Sequence, residues 1–255
     1  MRLKCFILLF LISLLSFVVV NYSVSDSSFT SRFQEANDHY AAGEYCTAKE
    51  VYGGLIKDGM RSAALFYNMG NACFKCGELG RSILYYEKAI KISPRDSEIR
   101  FNLSFARKSV AETPTEEGIL HAILSRTLFF FSTGELLRTE EIAVVALALS
   151  GMLFINSRRR KFKRFLKISI CITGIVLILS LLLLSVKFID ESSSEAIVVV
   201  ERVDALSGPG EENMRVLSIP EGMKVWIDEE REEWYLVHLS TGRGGWVKRD
   251  TVEII

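Results

Sequence analysis

This sequence has no excess of positive or negative charge. Its 255 residues carry 31 Lys and Arg against 31 Asp and Glu, so the formal net charge is zero. Domains that bind nucleic acid are usually strongly basic, because they must neutralise the phosphate backbone. The balanced charge therefore argues against a basic nucleic-acid binder, and we predict no nucleic-acid partner.

Catalytic and metal-binding motifs are lacking as well. The three histidines, His39, His121 and His238, lie in three separate segments. The sequence has no H-E-x-x-H, no G-x-S-x-G, no P-loop and no G-x-G-x-x-G. A zinc site needs about four nitrogen or sulfur ligands, but Cys73 and Cys76 supply two and no second pair has a suitable spacing. We therefore predict that the chain is not an enzyme and has no catalytic residue, metal or cofactor.

Apolar residues, in contrast, are abundant and concentrated in three blocks. They make up 49% of the sequence, and the mean hydropathy is +0.23. The first block lies in residues 1–25, where a basic start precedes a run of about 15 apolar residues, which predicts a secretory signal or an uncleaved N-terminal anchor. The other two predict membrane-spanning helices at 139–157 and 166–188, the first with Thr139 to Glu141 at the membrane interface.

The short connection between these two helices, at 158–165, is strongly basic. The stretch NSRRRKFKR contains six Lys or Arg residues and no acidic residue. Loops of this kind remain in the cytoplasm, so a role in setting the topology is favoured over binding of lipid or nucleic acid. We therefore predict a transmembrane helical hairpin whose flanking domains both lie outside the cytoplasm.

A 34-residue period runs through residues 26–112. Gly43 precedes Gly77 by this interval, and Tyr52 precedes Tyr86 by the same interval. Each period contains an apolar helix, a glycine turn and a second apolar helix, as expected of stacked helical repeats. The best-preserved period resembles the tetratricopeptide repeat (TPR), and its signature positions hold Phe66, Met69, Gly70, Cys73, Gly77, Ser82, Tyr86, Ala89 and Pro94.

The resemblance implies an α-helical TPR array with repeats at about 29–62 and 63–96 and a closing helix at 97–112. Arrays of this type bind proteins or peptides in a concave groove. The residues that the resemblance places in the groove are Asn37, Tyr67, Asn68, Asn71, Phe74 and Lys75. The alternative is that the asparagines bond neighbouring helices and bind no ligand.

The C-x-x-C formed by Cys73 and Cys76 lies in the last turn of the first helix of the second repeat. The helix dipole disfavours a thiolate there, which argues against a redox enzyme. We predict that these cysteines pack as small apolar residues. A disulfide joining Cys76 to either Cys46 or Cys73 is the alternative, since an exported domain permits one.

Residues 189–255 have the alternating pattern and regular turns of short antiparallel strands. Strands are predicted at 196–204, 213–218, 223–229, 233–239, 244–248 and 251–254. The stretches IPEGMKV, EEWYLVHL and GRGGWVKRDTVEII resemble a bacterial SH3-type (SH3b) domain, which implies a small all-β SH3-like barrel that binds peptides, cell-wall material or neighbouring proteins. Trp226 and Tyr235 are candidates for its surface, and Trp234 and Trp246 are expected in the barrel core.

The apolar linker at 113–138 leads from the repeats into the first predicted span. Its sequence fits either a helix on the membrane surface or a hydrophobic hinge packed under the repeats.

The order of signal, repeats, hairpin and SH3b domain resembles the BatE-like family of aerotolerance-operon TPR proteins. The most specific stretch is LFYNMGNACFKCGELGRSILYYEKAIKISPRDSEIRFNLSFAR. The resemblance implies a non-enzymatic scaffold in the bacterial inner membrane, working beside von Willebrand A-type membrane proteins and a MoxR-type ATPase in oxygen or stress tolerance. The alternatives are a cell-wall or peptide sensor that acts mainly through the SH3b domain and, less favoured, a thiol-redox protein.

Overall fold

The computed structural model describes residues 27–110, 130–191 and 194–255. The predicted signal or anchor at 1–25 and most of the apolar linker at 113–138 lie outside these residues. The chain forms two compact units. One contains the repeats and the C-terminal strands, and the other contains the two long apolar helices.

Five helices form the N-terminal array: α1 (Ser27–Ala41), α2 (Tyr45–Lys57), α3 (Ala63–Lys75), α4 (Leu79–Ile92) and α5 (Ser97–Ser109). Two helix starts carry side-chain caps: Ser62 Oγ accepts from the Leu65 N–H, and the Asp96 carboxylate accepts from the second and third N–H groups of α5. The turns after α1 and α3 contain Gly43 and Gly77 with φ of +82° and +81°. Glycine adopts this conformation without steric cost, so the two turns have the same geometry one period apart.

The helices pack as the 34-residue period predicts, with small residues where two helices come close. A Cβ atom at Gly70 of α3 would lie 2.7 Å from the ring of Tyr86 on α4. Ala36, Ala48, Ala72 and Ala89 are completely buried. The predicted helical array is therefore confirmed.

The C-terminal region is an antiparallel sheet of seven strands: β1 (Glu195–Val198), β2 (Arg202–Leu206), β3 (Arg215–Pro220), β4 (Lys224–Arg231), β5 (Trp234–His238), β6 (Gly244–Lys248) and β7 (Val252–Ile254). The strand order is β3-β2-β6-β5-β4-β1-β7. The strand predicted at 196–204 is two strands, separated by residues 199–201. Alternate residues of the sheet face a core that includes Val225, Val237 and Val247.

The predicted closed barrel is not formed. Closure would require β3 to pair with β7, but these strands lie at opposite ends of the sheet order among the described residues. The β1–β7 end packs instead against helix α4, where Arg81 bonds Glu253 of β7 at 3.0 Å. The domain is thus an open sheet lying on the helical array, and an SH3-like fold is not shown.

The sheet packs directly on helix α4, and the two backbones come close together. Ile197 of β1 is completely buried in a cluster with Ile83 of α4 and with Val110, which follows α5. A Cβ atom at Gly80 would clash with the carbonyl oxygen of Val198, and a Cβ atom at Gly222 would lie 2.7 Å from both Ile83 and Val110. Repeats and sheet are therefore joined by one apolar cluster, in addition to the separate core of the sheet.

The second unit contains the long apolar helices α6 (Thr133–Asn156) and α7 (Arg160–Glu191). Ser132 and Glu135 form a reciprocal capping box at the start of α6. Both helices are long and apolar enough to cross a membrane, and only 6% of the most apolar window of each is buried within the protein. Helix α6 begins six residues before its predicted span and ends one residue before the predicted end, whereas α7 extends beyond its predicted span at both ends, because helical structure continues into the flanking polar residues.

Candidate functional site

Asn37 on α1 is the first rung of a hydrogen-bonded ladder between the first helices of the repeats. Its Oδ1 accepts from the Tyr52 hydroxyl at 2.7 Å and from the Asn68 Nδ2 at 3.0 Å. Tyr52 lies on the second helix of the same repeat, and Asn68 lies on the first helix of the next. One carbonyl oxygen thus ties three helices together.

The second rung repeats this arrangement 34 residues later. Asn71 Oδ1 accepts from the Tyr86 hydroxyl at 2.6 Å and from the Asn102 Nδ2 at 2.9 Å. Asn102 on α5 also donates to the Tyr67 hydroxyl at 3.0 Å. Burial raises the pKa of Tyr52 to about 12 and that of Tyr86 further, so both hydroxyls remain protonated donors.

The ladder changes how the predicted groove residues are interpreted. The carbonyl oxygens of Asn37 and Asn71 already accept two hydrogen bonds each, which is the usual capacity of an amide oxygen. The alternative of structural asparagines therefore accounts for these atoms. Asn102 and the tyrosine donors were not among the predicted residues, although Asn102 follows Asn68 by one 34-residue period.

An aromatic patch, defined here as Tyr67, Phe74, Phe101 and Phe105, lies on α3 and α5. The rings of Phe74 and Phe105 are 5.7 Å apart. Phe101 is 69% exposed and Phe105 is 52% exposed, whereas the apolar side chains on the opposite side of α5, such as Leu103, are buried. The prediction did not include Phe101 and Phe105, but they follow Tyr67 and Asn71 by one period.

Lys75 lies beside this patch at the end of α3. Its side chain is exposed, and its Nζ lies 5.8 Å from the centre of the Tyr45 ring. The face of an aromatic ring attracts a cation, so Tyr45 holds the Lys75 ammonium in place. Lys75 can therefore supply a positive charge at one end of the aromatic patch.

The cysteines are arranged in a way that favours neither a C-x-x-C pair nor a redox site. Cys76 is bonded to Cys46 of α2, with Cα atoms 5.7 Å apart. Cys73 is a free, completely buried thiol. Burial, aided by the charge of Glu78, raises the pKa of Cys73 to about 12, so it is not a nucleophile at neutral pH.

The aromatic side chains of the C-terminal sheet lie on different faces from those predicted. Tyr235 was expected on the surface, but it is 4% exposed and belongs to the core of the sheet. Its neighbour Trp234 points to the other face because successive strand residues alternate. Trp246 is 7% exposed, but it pairs with Leu236 on that same outer face and not with the core.

All three tryptophans of the chain therefore share the outer face of the sheet. Trp226 stacks with His238 at 5.7 Å. The Arg231 guanidinium lies 5.3 Å from the centre of the Trp246 ring, and the Lys248 Nζ lies 6.0 Å from that of Trp234. This face combines indole rings with two cations that already cover part of them.

No cluster of His, Cys, Asp or Glu that could hold a metal ion occurs among the residues that the structure describes. The face that carries the aromatic patch presents exposed rings and a nearby lysine, which suits the binding of a partner surface.

Comparison with known families agrees with this geometry. The tetratricopeptide repeat family model matches residues 63–96, which include α3, α4 and the turn after them. No curated protein matches the chain. Repeats of this family are typically non-enzymatic interaction modules that bind proteins or peptides.

Proposed function

We propose that this chain is a membrane-anchored, non-enzymatic scaffold that binds a partner protein on the concave face of its helical repeats. The observation that carries the proposal is the aromatic patch, where Phe101 and Phe105 are more than half exposed on a helix whose other apolar residues are buried. Exposed aromatic side chains of this kind are enriched where proteins bind each other.

Membrane anchoring is supported by α6 and α7, whose length and composition suit two spans. The residues before and after these helices in the sequence pack on each other through β1 and α4. Both ends of the apolar segment must therefore lie on one side of the membrane, which two spans achieve and one does not. The basic connection at 158–165 favours the exterior of the cytoplasm as that side.

The resemblance to the BatE-like family supports an envelope complex of the bacterial inner membrane that is linked to oxygen or stress tolerance. Under this proposal the partners include von Willebrand A-type membrane proteins and a MoxR-type ATPase system. The repeats and the sheet then form a single extracytoplasmic body that presents the aromatic patch to those partners.

A crosslinking pull-down with the full-length protein in detergent-solubilised membranes tests the proposal. The groove variant replaces Lys75, Phe101 and Phe105 by alanine, and leaves Asn71 and Tyr67 in place because both are hydrogen-bonded to Asn102 of the neighbouring helix. The control variant replaces Glu50, Lys57 and Ile92, which are exposed on the second helices.

We expect the wild type and the control variant to recover the same partner and the groove variant to lose it. Recovery of that partner by the groove variant at the level of the wild type would reject the concave face as the binding site.

The tryptophan face favours a second candidate function, binding of cell-wall material or a peptide by the C-terminal sheet. The half-buried rings of Trp226 and Trp234 provide flat apolar surfaces, and the Lys248 Nζ adds positive charge 6.0 Å from the centre of the Trp234 ring. Sedimentation of the full-length protein with peptidoglycan tests this candidate. It requires the wild type to pellet and the Trp226→Ala/Trp234→Ala variant to remain in solution.

A further inference from the structure

The connection between α6 and α7 concentrates positive charge that the described structure does not neutralise. Residues 158–167 contain seven Lys or Arg, five of which lie in the first eight residues of α7. Among the described residues, no carboxylate lies within ion-pair distance of any of the seven. The nearest acidic residues in the sequence, Glu141 and Asp190, belong to the opposite ends of the two helices.

The position of these charges is opposite to what an isolated helix favours. The first-turn N–H groups of a helix carry a partial positive charge, so acidic residues are favoured there. The first turn of α7 has no acidic residue and begins with Arg160 and Lys161. An anion from outside the chain would relieve this local conflict, since a helix N-terminus favours negative charge.

Two contacts orient part of the cluster. The Lys163 Nζ lies 5.3 Å from the centre of the Phe154 ring, and the Lys167 Nζ lies 6.0 Å from it. Phe154 is on α6, so these lysines bring the ends of α6 and α7 together. The remaining cations, Arg158 to Lys161 and Arg164, are exposed.

Two exposed aromatic rings accompany the cations. Phe162 is 42% exposed and Phe165 is 64% exposed, and their rings are stacked 6.4 Å apart. Helix α7 is about 48 Å long at 1.5 Å per residue, whereas the hydrocarbon core of a bilayer is about 30 Å thick. The helix is therefore longer than the hydrocarbon core, and its first eight residues, which carry five cations, suit the headgroup region, where aromatic rings and cations are both favoured.

We propose that residues 158–167 form a binding site for the phosphate group of anionic phospholipids. The exposed arginines and the N-terminus of α7 hold the phosphate, and Phe162 and Phe165 contact the adjoining acyl chains. The inference rests on the proposed membrane anchoring, and adds to it a preference for one class of lipid. A charge of this density near a membrane is attracted to anionic lipid through each of its cations.

Native mass spectrometry of the full-length protein in detergent, with equimolar phosphatidylglycerol and phosphatidylcholine, tests the proposal. We expect about tenfold more phosphatidylglycerol than phosphatidylcholine adducts for the wild type, since several cations act together. The variant R158Q/R159Q/R160Q/K161Q should fall to less than about a twofold preference, because only Lys163, Arg164 and Lys167 remain and both lysines lie over the Phe154 ring. The measurement does not depend on the orientation of the helices in the cell membrane.

Two further variants separate the site from general positive charge. Replacing Lys57, Arg100, Lys108 and Arg202 by glutamine removes four exposed cations elsewhere and should leave the preference unchanged. Replacing the three arginines at 158–160 by lysine keeps the charge and should keep most of the preference. An equal loss of preference in the Lys57 set and in the 158–161 set would overturn the proposal.

Competition with inorganic phosphate and with an oligonucleotide shows which kind of phosphate the site binds. Inorganic phosphate at millimolar concentration should not displace phosphatidylglycerol, and displacement would show a site for free phosphate. Preferential binding of a single-stranded oligonucleotide over phosphatidylglycerol would show a nucleic-acid site and overturn the proposal.

Extraction of cell membranes with alkaline carbonate measures anchoring separately. A protein that resists extraction but shows no lipid preference would contradict only the lipid site. A protein that is extracted would contradict the membrane anchoring on which the lipid site rests.

Discussion

At the scale of single residues, Asn71 shows how a polar side chain can be structural in a place where a ligand was expected. Its amide oxygen accepts from Tyr86 and Asn102, so it joins α3 to α4 and α5. Leaving a buried hydroxyl or amide without a hydrogen-bond partner costs more stability than the hydrogen bond contributes on balance when it forms. Asn37 accepts from Tyr52 and Asn68 in the same way, so this arrangement recurs with the 34-residue period.

Replacing Asn71 by alanine should lower the free energy of unfolding by about 1–3 kcal/mol, because two buried donors lose their acceptor. A urea titration of the full-length protein in mild detergent, read by pulse proteolysis, measures this change. Lys75→Ala is the control and should have almost no effect, since Lys75 is exposed. An Asn71→Ala protein as stable as the control would contradict the structural role of the ladder.

Cys73 should resist alkylation in the folded protein, because it is completely buried and its pKa is raised to about 12. Iodoacetamide at pH 8 without reductant, followed by peptide mass analysis, should leave Cys73 unmodified until the protein is unfolded. Cys46 and Cys76 should react only after reduction. Rapid labelling of Cys73 in the native protein would revive the thiol-redox hypothesis.

At the scale of elements, helix α4 is where the repeats and the sheet are joined by charge as well as by apolar packing. Burial by itself raises the pKa of Glu87, but Lys224 of β4 and Arg107 of α5 outweigh it, and the pKa is lowered overall. Lys224 also lies 3.3 Å from Glu195 of β1, which is the same distance from Lys91 of α4. The ionised carboxylate of Glu87 on α4 therefore attracts cations of both α5 and β4.

Stability should decrease as the pH falls through the lowered pKa of Glu87, because its ionised form is favoured in the folded state. The contribution is fully present above the unfolded pKa of about 4.5. At pH 7, Glu87→Gln should cost about 1–3 kcal/mol, since Arg107 loses a charged hydrogen-bond partner and Lys224 loses an ion-pair partner. Urea titrations at pH 7 and at pH 4 should show this difference shrinking. Glu50→Gln, at an exposed site, should show no such pH dependence.

Gly80→Ala should separate the sheet from α4, because the added Cβ would meet the Val198 carbonyl oxygen, a backbone atom that cannot turn away. Overpacking of this kind typically costs about 1–3 kcal/mol. Limited proteolysis should cut between the sheet and the repeats faster than in the wild type. Gly53→Ala is the matched control, since its Cβ would lie 3.8 Å from Met69. Equal cleavage rates for the two variants would contradict the close approach.

At the scale of the whole molecule, the contact between repeats and sheet constrains the topology of the chain. The sheet covers α4 and the end of α5, so this surface is not available to a partner. The aromatic patch remains exposed. The body formed by repeats and sheet thus has one face covered by internal packing and one face open. Under the proposed membrane anchoring, the apolar segment between the repeats and the sheet returns to the side from which it started.

Single cysteines introduced at Thr47 and Ser207 should react with a membrane-impermeant maleimide in spheroplasts, whereas a cysteine at Arg159 should react only after lysis. Cys5 and Cys171 are replaced by serine in this background, so that label reports only the new sites. Positions 47 and 207 belong to the body formed by repeats and sheet and must therefore behave alike. Opposite labelling of these two positions would be incompatible with the contact between α4 and β1.

The sequence by itself determined the features that depend on neighbouring residues. The 34-residue period predicts the helical array because each repeat carries its own apolar faces and its own glycine turn, as at Gly77. The apolar blocks predict two helices of spanning length for the same local reason. The alternation of apolar and polar residues near the C-terminus predicts strands, although the prediction treated β1 and β2 as a single strand at 196–204.

Only the tertiary structure decided which surfaces are covered. Ile197 is buried by Ile83, more than a hundred positions away in the sequence, and this contact orients the sheet on the array. The same docking leaves the sheet open, and strand register places Tyr235 in its core and the tryptophans outside. Residue type and period could not give these outcomes, because they depend on the packing of segments separated by the entire apolar hairpin.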